Sequence, residues 1–139
     1  MLASIGYAVA YTGVGLALLA LGFYAIDLLT PGHLGRHIYE HRSTNAAIVL
    51  AAGFLAQGAI TFTTIWTNAT SGFGTALAYT VVFGVLGVLL QAVAFVLLDL
   101  ITPGKLGAHM VEPGFHPAAL VTAAAQLSVA AIIVAAIWP

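Results

Sequence analysis

The sequence predicts an all-α integral membrane protein with four transmembrane helices, built as two parallel helical hairpins related by a pseudo-two-fold axis along the membrane normal. The first observation is composition: 62% of the 139 residues are hydrophobic, 5% are charged, and the mean hydropathy is +1.10, whereas soluble domains carry about 25% charged residues. The second is that all charged residues lie in two short windows, and the third is that the chain matches itself at an offset of 72 residues. The charged residues are Asp27, Arg36, Glu40 and Arg42 in the first window, and Asp99, Lys105 and Glu112 in the second.

Four apolar stretches are long enough to cross a bilayer, whose hydrocarbon core requires about 20 residues of helix. In chain order, we expect spans at about 2–28, 44–66, 74–100 and 117–138. A polar, glycine-containing segment separates the second span from the third and predicts a loop. Because the spans and their short loops use nearly the whole chain, we expect one membrane domain, 1–139, and no soluble domain.

Several classes of protein are excluded or disfavoured. The first span is not expected to be a signal peptide, because it lacks a basic n-region, is longer than an h-region and carries Asp27 near its end. The chain has no cysteine, which excludes disulfides, thiol catalysis and cysteine-ligated metals. The chain has no basic patch that would bind nucleic acid, and we expect no nucleic-acid partner. Its expected environment is membrane lipid. No nucleophile–base pair or phosphate-binding loop is present, and we do not expect an enzyme.

The three basic side chains predict the orientation of the chain in the membrane. Arg36, Arg42 and Lys105 all follow the first or third span and therefore lie on one side of the bilayer. The loop around Asn68 and both termini contain no lysine or arginine. By the positive-inside rule, we expect the charged loops in the cytoplasm and both termini outside, in a bacterial inner membrane.

An internal repeat groups the four spans into two pairs. The segment Asp27–Ile38 aligns with Asp99–Met110, and eight of the twelve positions are identical. We predict a repeat A at 1–70 and a repeat B at 73–139. Each repeat has two spans, so both enter the membrane in the same direction and the repeat is parallel rather than inverted. A duplicated helical hairpin would give a four-helix bundle.

The doubled motif Asp-Leu-(Leu/Ile)-Thr-Pro-Gly-x-Leu-Gly, within a tandem two-span unit, resembles the bacterial membrane family called domain of unknown function 350. The resemblance covers the whole chain, and the high alanine and glycine content suggests an actinobacterial member. It implies an integral inner-membrane protein. It implies no enzymatic activity, substrate or cofactor.

The Thr-Pro-Gly triplets predict where the first and third spans end, because proline disfavours helix at the residue before it and cannot donate a backbone hydrogen bond. These loop motifs are Thr30, Pro31 and Gly32, and Thr102, Pro103 and Gly104. One local structure is a type II turn centred on the proline and glycine. The other is a new amphipathic helix with Thr30 as N-cap and Pro31 as first residue, which we favour for the first loop.

Asp27 and Asp99 lie about one helical turn before these breaks, so each carboxylate faces the negative end of its own helix dipole. Two interpretations stay open. The acids could approach each other across the pseudo-two-fold axis and line a proton or cation path. Alternatively, each carboxylate accepts hydrogen bonds from its loop, or pairs with a basic side chain, and holds the joint.

Two further groups of polar residues are candidates for a site. Gln57, Gln91 and Gln126 fall within spans two, three and four, where they could bond to neighbouring helices or line a polar path. His37 and His109 occupy equivalent repeat positions and are weak candidates for a metal or haem, although interfacial histidines are more often only solvated. We expect no cofactor.

Three functions follow from these features. The first is a non-enzymatic accessory or scaffold subunit of a homo-oligomer or of a larger membrane complex, because small residues in every span permit close helix packing. The second is a small proton or cation conductor that uses Asp27 and Asp99. The third, least supported, is a redox subunit that handles haem or quinone.

Overall fold

Four long helices form in the apolar, proline-free stretches, with Asp27 and Asp99 near the ends of the first and third, and two short helices form in the charged loops. The computed structural model describes residues 1–138. The elements in chain order are α1 (Leu2–Leu29), α2 (Leu34–Tyr39), α3 (Thr44–Thr67), α4 (Phe73–Ile101), α5 (Leu106–Met110) and α6 (Ala118–Ile137). Each of α1, α3, α4 and α6 is long and apolar enough to cross a membrane. The four predicted spans are confirmed, and within residues 1–138 the chain forms no strand.

Helix α3 is the centre of the bundle, and it packs against α6, α4 and α1. It carries buried residues along its whole length, from Asn45 to Thr64. Helix α1 lies at the periphery of the bundle. The structure describes all of its residues, and only Leu18 is buried. The grouping into repeats 1–70 and 73–139, and the axis that would relate them, stay predictions.

Glycines allow the long helices to approach closely. At Gly84 on α4, an added Cβ would overlap the side chain of Leu18 on α1, with Leu18 Cδ2 only 2.9 Å away. At Gly87, also on α4, it would lie 2.9 Å from Ile60 on α3. Small residues of this kind let membrane helices pack backbone to side chain without a gap.

The predicted start of the first short helix is wrong. Thr30 is not the N-cap of α2 but the C-cap of α1, with an extended backbone at φ −102° and ψ 131°, as expected for a residue before proline. Gly32 has φ +83°, a left-handed value that cannot continue a right-handed helix. Consequently α2 starts three residues after Pro31, with His33 in the N-cap position.

The turn alternative describes the motif better. Gly104 repeats the positive φ of Gly32, at +91°, as the third residue of a type II turn requires. In the second copy the N–H of Lys105 also donates to the carbonyl of Thr102 at 3.4 Å. The amphipathic character predicted for α2 is confirmed, since Leu34 is fully buried while Arg36 is exposed.

The two short helices close one end of the bundle, which we call the charged end (residues 30–43 and 102–117). Leu34 of α2 and Leu106 and Met110 of α5 join one buried apolar cluster with residues of α3, α4 and α6. The charged loops are therefore packed onto the bundle.

Candidate functional site

Each motif aspartate is bonded to the short helix that follows it. Asp27 Oδ1 accepts a hydrogen bond from the N–H of Leu34, the first residue of α2, at 2.5 Å. Asp99 Oδ1 accepts one from the N–H of Gly107 in α5 at 3.3 Å. A carboxylate is disfavoured at the C-terminal end of its own helix and favoured beside the free N–H groups of the next one. These bonds correspond to the interpretation in which the acids hold the joints.

In the part of the chain that the structure describes, no lysine or arginine forms an ion pair with Asp27 or Asp99. Arg36 instead lies 3.6 Å from the carboxylate of Glu40, one turn along the same surface. His33 Nδ1 lies 3.9 Å from Asp27 Oδ2, at the limit of an ion pair. Beside them, the buried Thr30 hydroxyl donates to the carbonyl of Ile26 at 2.8 Å and so closes the last turn of α1.

The two repeat-equivalent histidines are oriented alike but have different neighbours. His37 Nε2 donates to the carbonyl of Pro31 at 3.0 Å, and its Nδ1 lies 3.3 Å from Nδ1 of His41. His109 Nε2 donates to the carbonyl of Pro103 at 3.3 Å. Among residues 1–138, no hydrogen bond or ring contact joins His37 to His109. A haem or metal shared by these two histidines therefore gains no support from their contacts.

His109 belongs instead to a cluster with Glu112 and His116. Its Nδ1 donates to Glu112 Oε1 at 2.8 Å, and its ring stacks on that of His116 with the ring centres 4.3 Å apart and the planes 11° from parallel. The hydrogen bond to the Glu112 carboxylate, followed by the one to the Pro103 carbonyl, raises the pKa of His109 above the usual histidine value.

The three span glutamines meet around one small cavity inside the bundle. Gln57 on α3 donates to the carbonyl of Gly84 on α4 at 3.0 Å, and Gln91 on α4 donates to Gln57 Oε1 at 3.2 Å. These two bonds join α3 to α4, and each such interhelical bond contributes on average about 0.6 kcal/mol. They correspond to the interpretation in which the glutamines bond to neighbouring helices.

Gln126 on α6 lines the same cavity but differs from the other two. Its buried Oε1 has no hydrogen-bond partner among the described residues, and it faces Gly53 of α3, where a Cβ would come within 2.8 Å of it. The space open to the centre of a water molecule is about 20 Å³, which is enough for one water. The rest of the lining is mainly apolar, so the cavity suits a single hydrogen-bond donor such as water.

Asn45 is a polar residue that the sequence reasoning missed. It is fully buried at the start of α3, and within residues 1–138 its side chain bonds only to the second charged loop: Nδ2 donates to the carbonyls of Gly114 (2.8 Å) and His109 (3.3 Å). Oδ1 accepts from the N–H of His116 at 2.8 Å. Its repeat position holds Pro117, so the self-match gave no indication of this role.

Four apolar helices closed at one end by charged loops define a multi-span integral membrane protein. The chain belongs to the family described as Domain of Unknown Function (DUF350), whose sequence model matches residues 1–137. The membership predicted from the doubled motif is thus confirmed.

The chain is similar to curated proteins that are named only as transmembrane proteins. A UPF0719 transmembrane protein of Mycolicibacterium paratuberculosis is 38% identical over 127 residues, covering 91% of this chain and 83% of the relative. A UPF0719 transmembrane protein of Mycobacterium bovis is 36% identical over 129 residues, covering 93% and 84%. A Mycobacterium tuberculosis relative matches with the same values. These organisms are actinobacteria, in agreement with the composition. No solved structure matches the chain.

Proposed function

We propose that this protein is a non-enzymatic accessory or scaffold subunit that assembles, through the exposed face of α1, with further copies of itself or with other membrane proteins. The observation that carries the proposal is the burial of α1. This helix has 28 residues, of which Leu18 alone is buried in the described chain. Most of a long apolar helix is thus left to lipid or to another helix.

The composition of α1 favours another helix on one side. Residues spaced three and four apart lie on one face of a helix. Along one such face of α1, all the residues are small. This small-residue face consists of Ala3, Gly6, Ala10, Gly13, Ala17 and Ala20. At Gly6 and Gly13, apart from the adjoining part of α1 itself, no atom of residues 1–138 lies within 4 Å of where a Cβ would be. Small residues that pack nothing within the bundle are typical of contacts between membrane helices.

The rest of the exposed surface of α1 has large side chains. Ile5, Val9 and Leu16 are exposed and lie beside the small-residue face, where they suit contact with lipid tails. The division of one exposed surface into a small and a large face supports an oriented helix contact. Contact with lipid over the whole surface would not require this division.

Gly13→Leu tests the proposal. We expect it to weaken association by about tenfold or more, which corresponds to about 1.4 kcal/mol, because leucine holds the partner helix away while disturbing nothing in its own chain. Association is measured by sedimentation equilibrium in mild detergent, and stoichiometric partners are identified by mass spectrometry of the native complex. Gly58→Leu is the matched control, since Gly58 on α3 is equally open. A wild-type chain that is monomeric and copurifies with no stoichiometric partner would contradict the proposal.

The alternative function, a proton or cation conductor using Asp27 and Asp99, has less support. Both carboxylates already accept hydrogen bonds from their own loops. An ion would have to compete with those bonds at both joints.

We also propose that both charged loops face the cytoplasm, as the three basic residues indicate. Single cysteines can be placed at the exposed positions His33, Phe115 and Ser71, because the chain has none of its own. We expect His33→Cys and Phe115→Cys to be protected from a membrane-impermeant maleimide in intact cells, and Ser71→Cys to react. Reaction of only one of the two loop positions would contradict both the orientation and the parallel repeat.

A further inference from the structure

The second charged loop brings three side chains with metal-binding atoms together. His109, Glu112 and His116 each offer one ligand atom, and these three atoms lie within 4.8 Å of one another. We propose that they bind a divalent transition-metal ion of the Zn²⁺ class. The proposal rests on this loop alone and does not depend on assembly through α1.

The donor set suits such an ion. Imidazole nitrogen and carboxylate oxygen are ordinary ligands of Zn²⁺, and three protein ligands leave a fourth position for water. With bonds of about 2.0–2.2 Å, ligand atoms around a tetrahedral Zn²⁺ lie about 3.4 Å apart. The 2.8 Å contact between His109 Nδ1 and Glu112 Oε1 must therefore open slightly, and His116 must approach. Glu112 is exposed, so its side chain is free to adjust.

The surroundings already orient the ligands. The Nε2–H of His109 donates to the carbonyl of Pro103, which turns the other ring nitrogen towards Glu112. A backbone carbonyl bonded to the far nitrogen of a histidine is a common arrangement around ligating imidazoles. Buried Asn45 fixes the backbone of both histidines, through the carbonyl of His109 and the N–H of His116. Two of the three ligands are thus held by groups outside the cluster.

The first repeat shows what the second has changed. His37 and Glu40 occupy the positions of His109 and Glu112, and His37 also donates to the carbonyl of its motif proline. In that copy, however, Glu40 pairs with Arg36. Ala108 replaces this arginine in the second copy. The substitution leaves Glu112 free to face His109 and removes a positive charge that would repel a cation.

Binding has local costs at both histidines. His109 Nδ1 must release the proton that it donates to Glu112, because an imidazole nitrogen binds a metal ion through its lone pair. His116 Nδ1 accepts a hydrogen bond from the N–H of Ala118 at 3.1 Å. A neutral imidazole has a single lone pair, so a ligating His116 must give up that bond. The stacked rings of His109 and His116 must also tilt, because parallel rings direct their lone pairs side by side rather than at one point. Ligation therefore reorganises the turn that leads into α6.

Titration of the purified full-length chain in detergent with Co²⁺, followed by displacement with Zn²⁺, tests the site. The affinity tag must contain no histidine. We expect one Co²⁺ per chain, seen by its visible absorption. Glu112→Gln and His116→Ala should each weaken binding by about tenfold or more, because each removes one of three ligands. Ala108→Arg should also weaken it, since it restores the arginine of the first repeat without removing a ligand.

His33→Ala is the control, because His33 lies beside Asp27 in the first loop and outside the cluster. It should leave the affinity unchanged. Retention of wild-type affinity by both Glu112→Gln and His116→Ala would overturn the proposal, as would loss of binding in His33→Ala. Helical circular dichroism identifies variants that remain folded, and Glu112→Gln keeps the side-chain shape, so the test does not depend on a disruptive change.

Discussion

Replacing Gly84 with alanine is expected to destabilise the bundle by up to about 2 kcal/mol. The new Cβ would overlap Leu18, which is the buried residue of α1, so either Leu18 leaves its rotamer or α1 moves away from α4. Overpacking of this kind costs about 1–3 kcal/mol. The gain from removing a helical glycine, about 1 kcal/mol, offsets part of it. Unfolding by a denaturing detergent in mixed micelles measures the loss.

A matched control and a rescue make this prediction specific to the contact between α1 and α4. Gly58→Ala makes the same change at an open helical position and should cause no loss of stability. Combining Gly84→Ala with Leu18→Ala should recover stability relative to the sum of the two single changes, because the alanine at 84 then fills space that Leu18 leaves. Coupling of neighbouring residues is usually about 0.5–3 kcal/mol. Strictly additive effects would show that the two helices do not meet at this point.

The long helices could be predicted from the sequence because lipid imposes one strong requirement on every span. A predominantly apolar stretch of sufficient length must form its backbone hydrogen bonds internally, and this predicts the four helices almost to the residue. Composition does not say which helix is central. That depends on side-chain fit at positions such as Gly84 and Gly87, where the neighbouring side chain is known only from the structure.

The charged loops were harder to predict because local rules compete there. Proline at the first position of a helix is common, and this suggested that α2 starts at Pro31. The positive φ of Gly32 prevents a helix from starting there. Of the two local structures considered, only the type II turn requires a positive φ at this residue. The bonds from Asp27 and Asp99 to the short helices agree with one of the two interpretations drawn from the sequence.

The cluster of His109, Glu112 and His116 was missed for a different reason. Sequence comparison between the repeats emphasised what the two copies share, namely His37 and His109. The cluster depends on what they do not share: Ala108 in place of Arg36, and His116 in place of Thr44. Asn45, which fixes this loop, likewise has no counterpart in the other copy. Divergence between duplicated halves, rather than their identity, indicates where the second loop has acquired properties of its own.

Asn45→Ala is therefore expected to have a large effect on this loop. It removes hydrogen bonds to the carbonyls of His109 and Gly114 and to the N–H of His116, at a site with no exposed surface. Each bond contributes about 0.5–1.5 kcal/mol, and a buried group left without a partner costs more. We expect a loss of about 2–4 kcal/mol in the free energy of unfolding, measured in mixed micelles.

The same variant should also weaken Co²⁺ binding, although Asn45 offers no ligand to the ion, because the backbones of His109 and His116 lose their common support. Asn68→Ala is the control: among the described residues the Asn68 side chain bonds only to Thr64 and Thr67 of the preceding helix, and its loss should change neither quantity appreciably. Reduced stability with unchanged Co²⁺ affinity would show that Asn45 holds the fold without positioning the ligands. Reduced affinity under conditions where both variants remain fully helical would place Asn45 among the residues that position the metal site.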